Sequence, residues 1–162
     1  MNLLASAPSW LTAVLLALVL LAAIEDGWRM KISNLTSGAI ALGAFAALLF
    51  DGPVVGFWQN LVLFAAVLVL GTMMFGRGWM GGGDIKLLAA CALWFDLASG
   101  WKLMVAIAIA GGLETLVIMA LRRLRWPDGM RQRVLLLRRG EGIPYGIAIA
   151  FGVALMAWWS RS

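Results

Sequence analysis

The sequence predicts an all-α membrane protein: one domain over residues 1–162, folded as a polytopic bundle of six transmembrane helices. Three observations predict it. Hydrophobic residues make up 63% of the chain and charged residues 13%, where a soluble domain is about half apolar and about a quarter charged. The apolar residues come in unbroken runs, such as Leu11-Thr-Ala-Val-Leu-Leu-Ala-Leu-Val-Leu-Leu-Ala22. Lipid leaves backbone groups no outside partner, and a barrel strand would alternate in polarity, so these runs read as helices. The basic residues, finally, collect in alternate connections between the runs.

A crossing needs roughly 20 predominantly apolar residues. The first is expected near 10–24, the second near 35–50 and the third near 57–75. The fourth apolar run, Leu87 to Phe95, is short; it gains length if its helix begins near Asp84 and runs on through Leu97, giving 84–97. The fifth is expected near 101–121 and the sixth near 143–159, with Pro144 in its first turn. Asn34 is placed to cap the second helix. Trp10, Trp58, Trp101 and Trp159 lie near helix ends, as interfacial tryptophans do.

The first connection carries Arg29 and Lys31, the third carries Arg77 with Lys86 just beyond, and the fifth carries Arg122, Arg123, Arg125, Arg131, Arg133, Arg138 and Arg139. Of the 13 basic residues only Lys102 and Arg161 fall on the other side. Basic loops stay in the cytoplasm, so both termini are expected outside. The net charge of +5 then implies contact with anionic lipid head groups, with no nucleic-acid partner. Met1–Ser9 reads as a short outer tail, because no basic residue precedes the first run as in a cleavable signal. The loop from Arg122 to Gly142 reads either as an interfacial helix around Val134–Leu137 or as a basic topology anchor.

The chain has no His and one Cys, which excludes a disulfide framework and any Ser-His or Cys-His apparatus. No metal site and no cofactor are expected, and acid–base chemistry falls to the carboxylates. Asp51, Asp96, Asp128 and Glu141 read as solvated loop charges. Asp26 closes the first crossing and Asp84 opens the fourth, which puts both at one membrane boundary. Two neighbouring carboxyl groups cannot both ionise cheaply, so they share a proton. One can then act as general base on water while the other protonates a carbonyl or leaving group. The plainer alternatives are an N-cap role for Asp84 and a hydrated Asp26.

The segment Gly76-Arg-Gly-Trp-Met-Gly-Gly-Gly-Asp-Ile-Lys86 favours the catalytic alternative. Gly81 to Gly83 admit close backbone approach and read as a strand-like edge for a peptide. A phosphate loop is excluded, since no Gly-x-x-x-x-Gly-Lys-Ser/Thr spacing exists. Lys86 is an interfacial anchor or a catalytic partner. Glu114 lies seven residues, roughly 10 Å of helix, from the cytoplasmic end of its crossing. An acid at that depth costs about 2.5–3.5 kcal/mol or more and should face the bundle interior. There it lines a substrate groove or bonds, protonated, to a neighbouring helix. Cys91 reads as core.

Gly81-Gly-Gly-Asp-Ile-Lys86 resembles the Gly-x-Gly-Asp-x-Lys motif of type IV prepilin peptidases, polytopic aspartic peptidases of the Gly-x-Gly-Asp class. That family's other acid precedes an Ile-Pro-Asn element; here Asp26 precedes Ile32-Ser-Asn34, with Ser33 in place of Pro. Gly142-Ile-Pro-Tyr-Gly-Ile-Ala148 is similar to the short tight-adherence (Flp/Tad) branch. The resemblance spans about Asp26 to Ala150. It implies a peptidase of the bacterial inner membrane with Asp26 and Asp84 catalytic and no cofactor. Its expected partner is a prepilin or pseudopilin with a basic leader, a Gly before the cut and an apolar helix after it. Larger members carry a cysteine-rich cytoplasmic segment and also N-methylate their product. This chain has only Cys91, so the resemblance implies proteolysis and leaves methylation and oligomeric state open.

Two other function classes fit the same residues. A small transporter would use Asp26, Asp84 and Glu114 as proton or ion relays. A pilus assembly scaffold would need no chemistry from them.

Overall fold

The computed structural model describes residues 2–51, 56–124, 126 and 142–160. Among these are seven helices: α1 (Leu3–Ser6), α2 (Ser9–Arg29), α3 (Asn34–Asp51), α4 (Trp58–Gly76), α5 (Gly82–Ala92), α6 (Leu97–Arg123) and α7 (Tyr145–Trp159). Of these, α2, α4 and α6 are long and apolar enough to cross a membrane. Asn34–Phe50 and Tyr145–Trp159 are shorter apolar helices. Among the described residues the regular structure is thus all-helical, with three helices of membrane-spanning length and apolarity, as the hydropathy predicts.

The fourth expected crossing differs in extent. Instead of running through Leu97, α5 covers 11 residues and stops at Ala92. The Trp94 and Phe95 amides fold back to the Cys91 and Ala92 carbonyls at 3.0 and 3.1 Å, tightening the last turn. Buried Asn60 on α4 takes up the Leu93 carbonyl through Nδ2 at 2.8 Å, and Trp94 Nε1 donates to Ile40 O on α3 at 3.0 Å. Asp96 then caps α6, its Oδ1 accepting the Ser99 amide at 2.7 Å. Asp96 is thus a helix cap and not merely a solvated charge. Partial burial works against its ionisation, while the hydrogen bonds from Ser99 favour it, and the carboxyl is held below its usual range.

α7 packs between α2 and α6, while α5 packs on α4 and α3 and touches α7. Leu15 and Val19 of α2, Ile40 of α3, Leu87 and Cys91 of α5, Leu103 of α6 and Ile149 and Val153 of α7 form one core. Cys91 is fully buried there, as expected. Gly152 lets Ile107 seat against α7, small-residue packing that suits helices with no solvent to drive them together. The outer faces expose Leu20, Leu42, Leu49, Val69, Leu70, Ile109 and Leu116, an apolar surface matched to lipid.

Candidate active site

Asp26 lies in the last turn of α2 and is 5% exposed. The helix ends four residues later at Met30, which adopts a left-handed conformation (φ 51°) and returns its amide to the Asp26 carbonyl. The chain then crosses to α3 under the control of Glu25. Glu25 Oε2 accepts the Ser33 amide at 3.0 Å and the Thr36 hydroxyl at 3.1 Å. Ser33 Oγ accepts the Leu35 amide at 3.1 Å. Ser33 therefore caps α3, rather than Asn34. Asn34 Oδ1 instead receives Lys86 Nζ at 2.9 Å, which ties α3 to α5. Lys86 thus bridges two helices, and the residues lining the acids' cleft do not include it.

Asp84 sits in the first turn of α5 and is 8% exposed. Gly81, the extended residue before the helix, hydrogen-bonds the carboxylate through its backbone. A Cβ on Gly81 would fall 2.8 Å from Asp84 Oδ2, so only glycine allows the acid to curl back onto its own helix start. Gly82 and Gly83 belong to the helix. The strand-like edge expected from the glycine run is thus corrected: the orphan amides of a helix start and the carboxylate at its third position satisfy one another better in the helix. Gly83 packs against Ile32 of the α2–α3 connection, with its Cβ position 3.3 Å from Ile32 Cβ.

These contacts bring both acids to one cleft of about 290 Å³, walled by Met30, Lys31, Ile32 and the glycines Gly81 to Gly83. Asp26 Oδ2 accepts the backbone N–H of Gly146 at 2.8 Å. Gly146 is in the first turn of α7, so the carboxylate occupies the positive end of that helix. Asp84 Oδ1 is buried with no hydrogen-bond partner among the described residues. The two carboxyls repel one another, and Glu114 adds repulsion on both. One carboxyl held by a helix amide and one with a free buried oxygen, facing a common cleft, is an arrangement able to hold a single proton between them.

Glu114 lies on α6 against α7. Both its oxygens are shielded, and neither completes a hydrogen bond of good geometry among the described residues. It lines a separate pocket of about 190 Å³ with Ala110, Leu113, Ile147, Ala148 and Phe151. That position accords with the groove-lining alternative, and the Ala148 backbone of α7 beside the carboxyl accords with the bonded one.

Gly146 and Lys31 are site residues that sequence reasoning did not single out. The signal for Gly146 was the Gly142-Ile-Pro-Tyr-Gly146 motif, which marks a helix start without naming the distant acid it serves. Pro144 itself precedes the first helical residue of α7 by one position. The Asp51 side chain, Asp128, Glu141 and most of the Arg122–Gly142 loop lie outside the described residues. Among the described residues no group of three or more His, Cys, Asp or Glu is placed to hold a metal ion.

Neither the curated proteins nor the solved structures give a match. The type IV leader peptidase family does, over residues 13–121. That stretch takes in Asp26, the glycine run, Asp84 and Glu114, and stops short of Gly146. With two thirds of its length and both cleft acids inside the match, this chain belongs to the type IV leader peptidase family.

Proposed function

We propose that this chain is an aspartic endopeptidase that removes the leader of prepilin or pseudopilin proteins, with Asp26 and Asp84 as its catalytic carboxyls. The observation that carries the proposal is the meeting of these two buried acids in one cleft. Family membership supports the peptidase chemistry.

The ionised carboxyl takes a proton from a water as the water oxygen attacks the scissile carbonyl carbon. The protonated carboxyl gives its proton to the carbonyl oxygen, forming a tetrahedral diol. The carboxyl that is now protonated gives its proton to the leaving nitrogen, the other takes a proton from a diol hydroxyl as the C–N bond breaks, and the pair returns to its starting state. The Gly146 amide and the α7 helix start stabilise charge on Asp26, while the unpartnered Asp84 Oδ1 suits the group that carries the proton. The pair titrates as a unit.

The enzyme spans the bacterial inner membrane six times, with both termini outside and the cleft at the cytoplasmic face. The segregation of basic residues supports this orientation, since Arg29, Lys31 and Arg77 lie at the same end of the chain's helices as the two acids. The deciding experiment incubates the purified protein with a prepilin carrying a basic leader and measures the mass of the new N-terminus. A single cut at the leader boundary is expected. An intact substrate across a panel of prepilins and pseudopilins overturns the reading.

A further inference from the structure

Among the described residues, Glu114 is a carboxyl set between two packed helices that the proposed chemistry leaves unused. Its two oxygens are shielded, and apart from the Ala148 backbone they have no hydrogen-bond partner among the described residues, an expensive condition for a polar group away from water. The walls of its pocket are apolar: Ala110 and Leu113 from α6, and Ile147, Ala148 and Phe151 from α7. Ile147 directly follows Gly146, whose amide holds Asp26. The pocket wall thus begins on α7 one residue beyond the amide that holds the catalytic acid.

We propose that Glu114 and this pocket are the subsite for an apolar stretch of the substrate next to the scissile bond. This rests on the peptidase reading above. A helical peptide bond must be unwound before water can reach its carbonyl. Unwinding strips backbone N–H groups of their partners, and in an apolar setting each stripped group needs a new one. Glu114 supplies acceptor oxygens at that point, while Leu113, Ile147 and Phe151 accept the neighbouring apolar side chains. The occupant is thus an unwound apolar peptide segment. Binding it gives the stripped substrate amide an acceptor and the carboxyl a further donor.

Steady-state cleavage of a leader-bearing substrate with its apolar segment tests this. Glu114→Leu suits lipid and should insert normally. It should raise KM about tenfold or more while kcat changes little, as expected for loss of a binding hydrogen bond. Glu114→Gln keeps an acceptor oxygen and should bring KM back to within about threefold of wild type. A photo-crosslinker at Phe151 in the inactive Asp84→Asn background should capture the substrate at the apolar residues beside the cut. This second readout also decides the matter if Glu114→Leu does not fold. Unchanged kinetics in folded Glu114→Leu overturn the subsite. So does a Glu114→Gln variant as dead as Asp84→Asn, which would make Glu114 a proton-exchanging group. Crosslinks to lipid alone overturn it as well. A wild-type protein that cleaves nothing overturns the peptidase reading, and this subsite with it.

Discussion

The backbone N–H of Gly146 donates to Asp26 Oδ2 at 2.8 Å, joining the start of α7 to the end of α2. The contact has no slack: a Cβ on Gly146 would lie 2.9 Å from both Asp26 Cβ and Oδ2. One glycine thus sets the position of a carboxylate and supplies its hydrogen bond.

Gly146→Ala should therefore damage activity more than folding. The added methyl pushes the Asp26 carboxylate off its amide. A displacement near 1 Å of a catalytic group costs about a hundredfold in rate, whereas overpacking costs about 1–3 kcal/mol of stability. Cleavage rate and thermal unfolding in detergent measure the two separately. An active Gly146→Ala variant would show that Asp26 needs no such support.

Asp26→Asn and Asp84→Asn should each abolish leader cleavage, and the double variant should be no worse than either, because groups acting as one unit are non-additive. Asn is nearly as good as Asp at a helix start, so a merely structural Asp84 would tolerate the change. Residual cleavage, assayed at matched membrane levels, distinguishes the two outcomes.

Glu25 should respond in graded fashion. Its Oε2 holds the Ser33 amide and the Thr36 hydroxyl, and the connection it fixes carries Ile32 onto Gly83. Glu25→Gln retains an acceptor oxygen and should keep most activity. Glu25→Leu leaves two donors unsatisfied and should lose about 1–3 kcal/mol of stability. Chemical unfolding and cleavage assays on both variants test this, and equal behaviour of the two would remove Glu25 from the cleft's support.

Cleavage should persist in excess chelator and after Cys91→Ala. The chain has no His and one Cys, and that Cys is fully buried in the core. Loss of activity in chelator, restored by added zinc, would replace the two-carboxylate mechanism. Cys91→Ala itself should cost only the small stability change of a shortened core side chain.

The same Cys91→Ala background permits a topology test. Single cysteines placed between Arg122 and Gly142 should be shielded from impermeant thiol reagents in sealed cells and become reactive once the membrane is opened. Labelling from outside would invert the orientation and set both acids on the wrong face for a cytoplasmic leader.

Much of this protein follows from local sequence. Apolar runs make helices in lipid because backbone groups there have no other partners, and that holds run by run, whatever the neighbours. Asp26 and Asp84 stood out because the run boundaries put both at one membrane face, and the glycine run favoured a catalytic reading of Asp84 over a cap. Other features depended on how the helices are turned against one another. Both the core-facing and lipid-facing sides of such helices are apolar, so periodicity gives no stripe from which to read their rotation. Nothing in the run 84–97 announces that Asn60 and Trp94 will end α5 at Ala92, or that Ser33 will cap α3 while Asn34 meets Lys86. The bond from Gly146 to Asp26 links positions 120 residues apart. It exists only because α7 packs beside α2 with its first turn level with the last turn of that helix, a matter of tertiary packing alone.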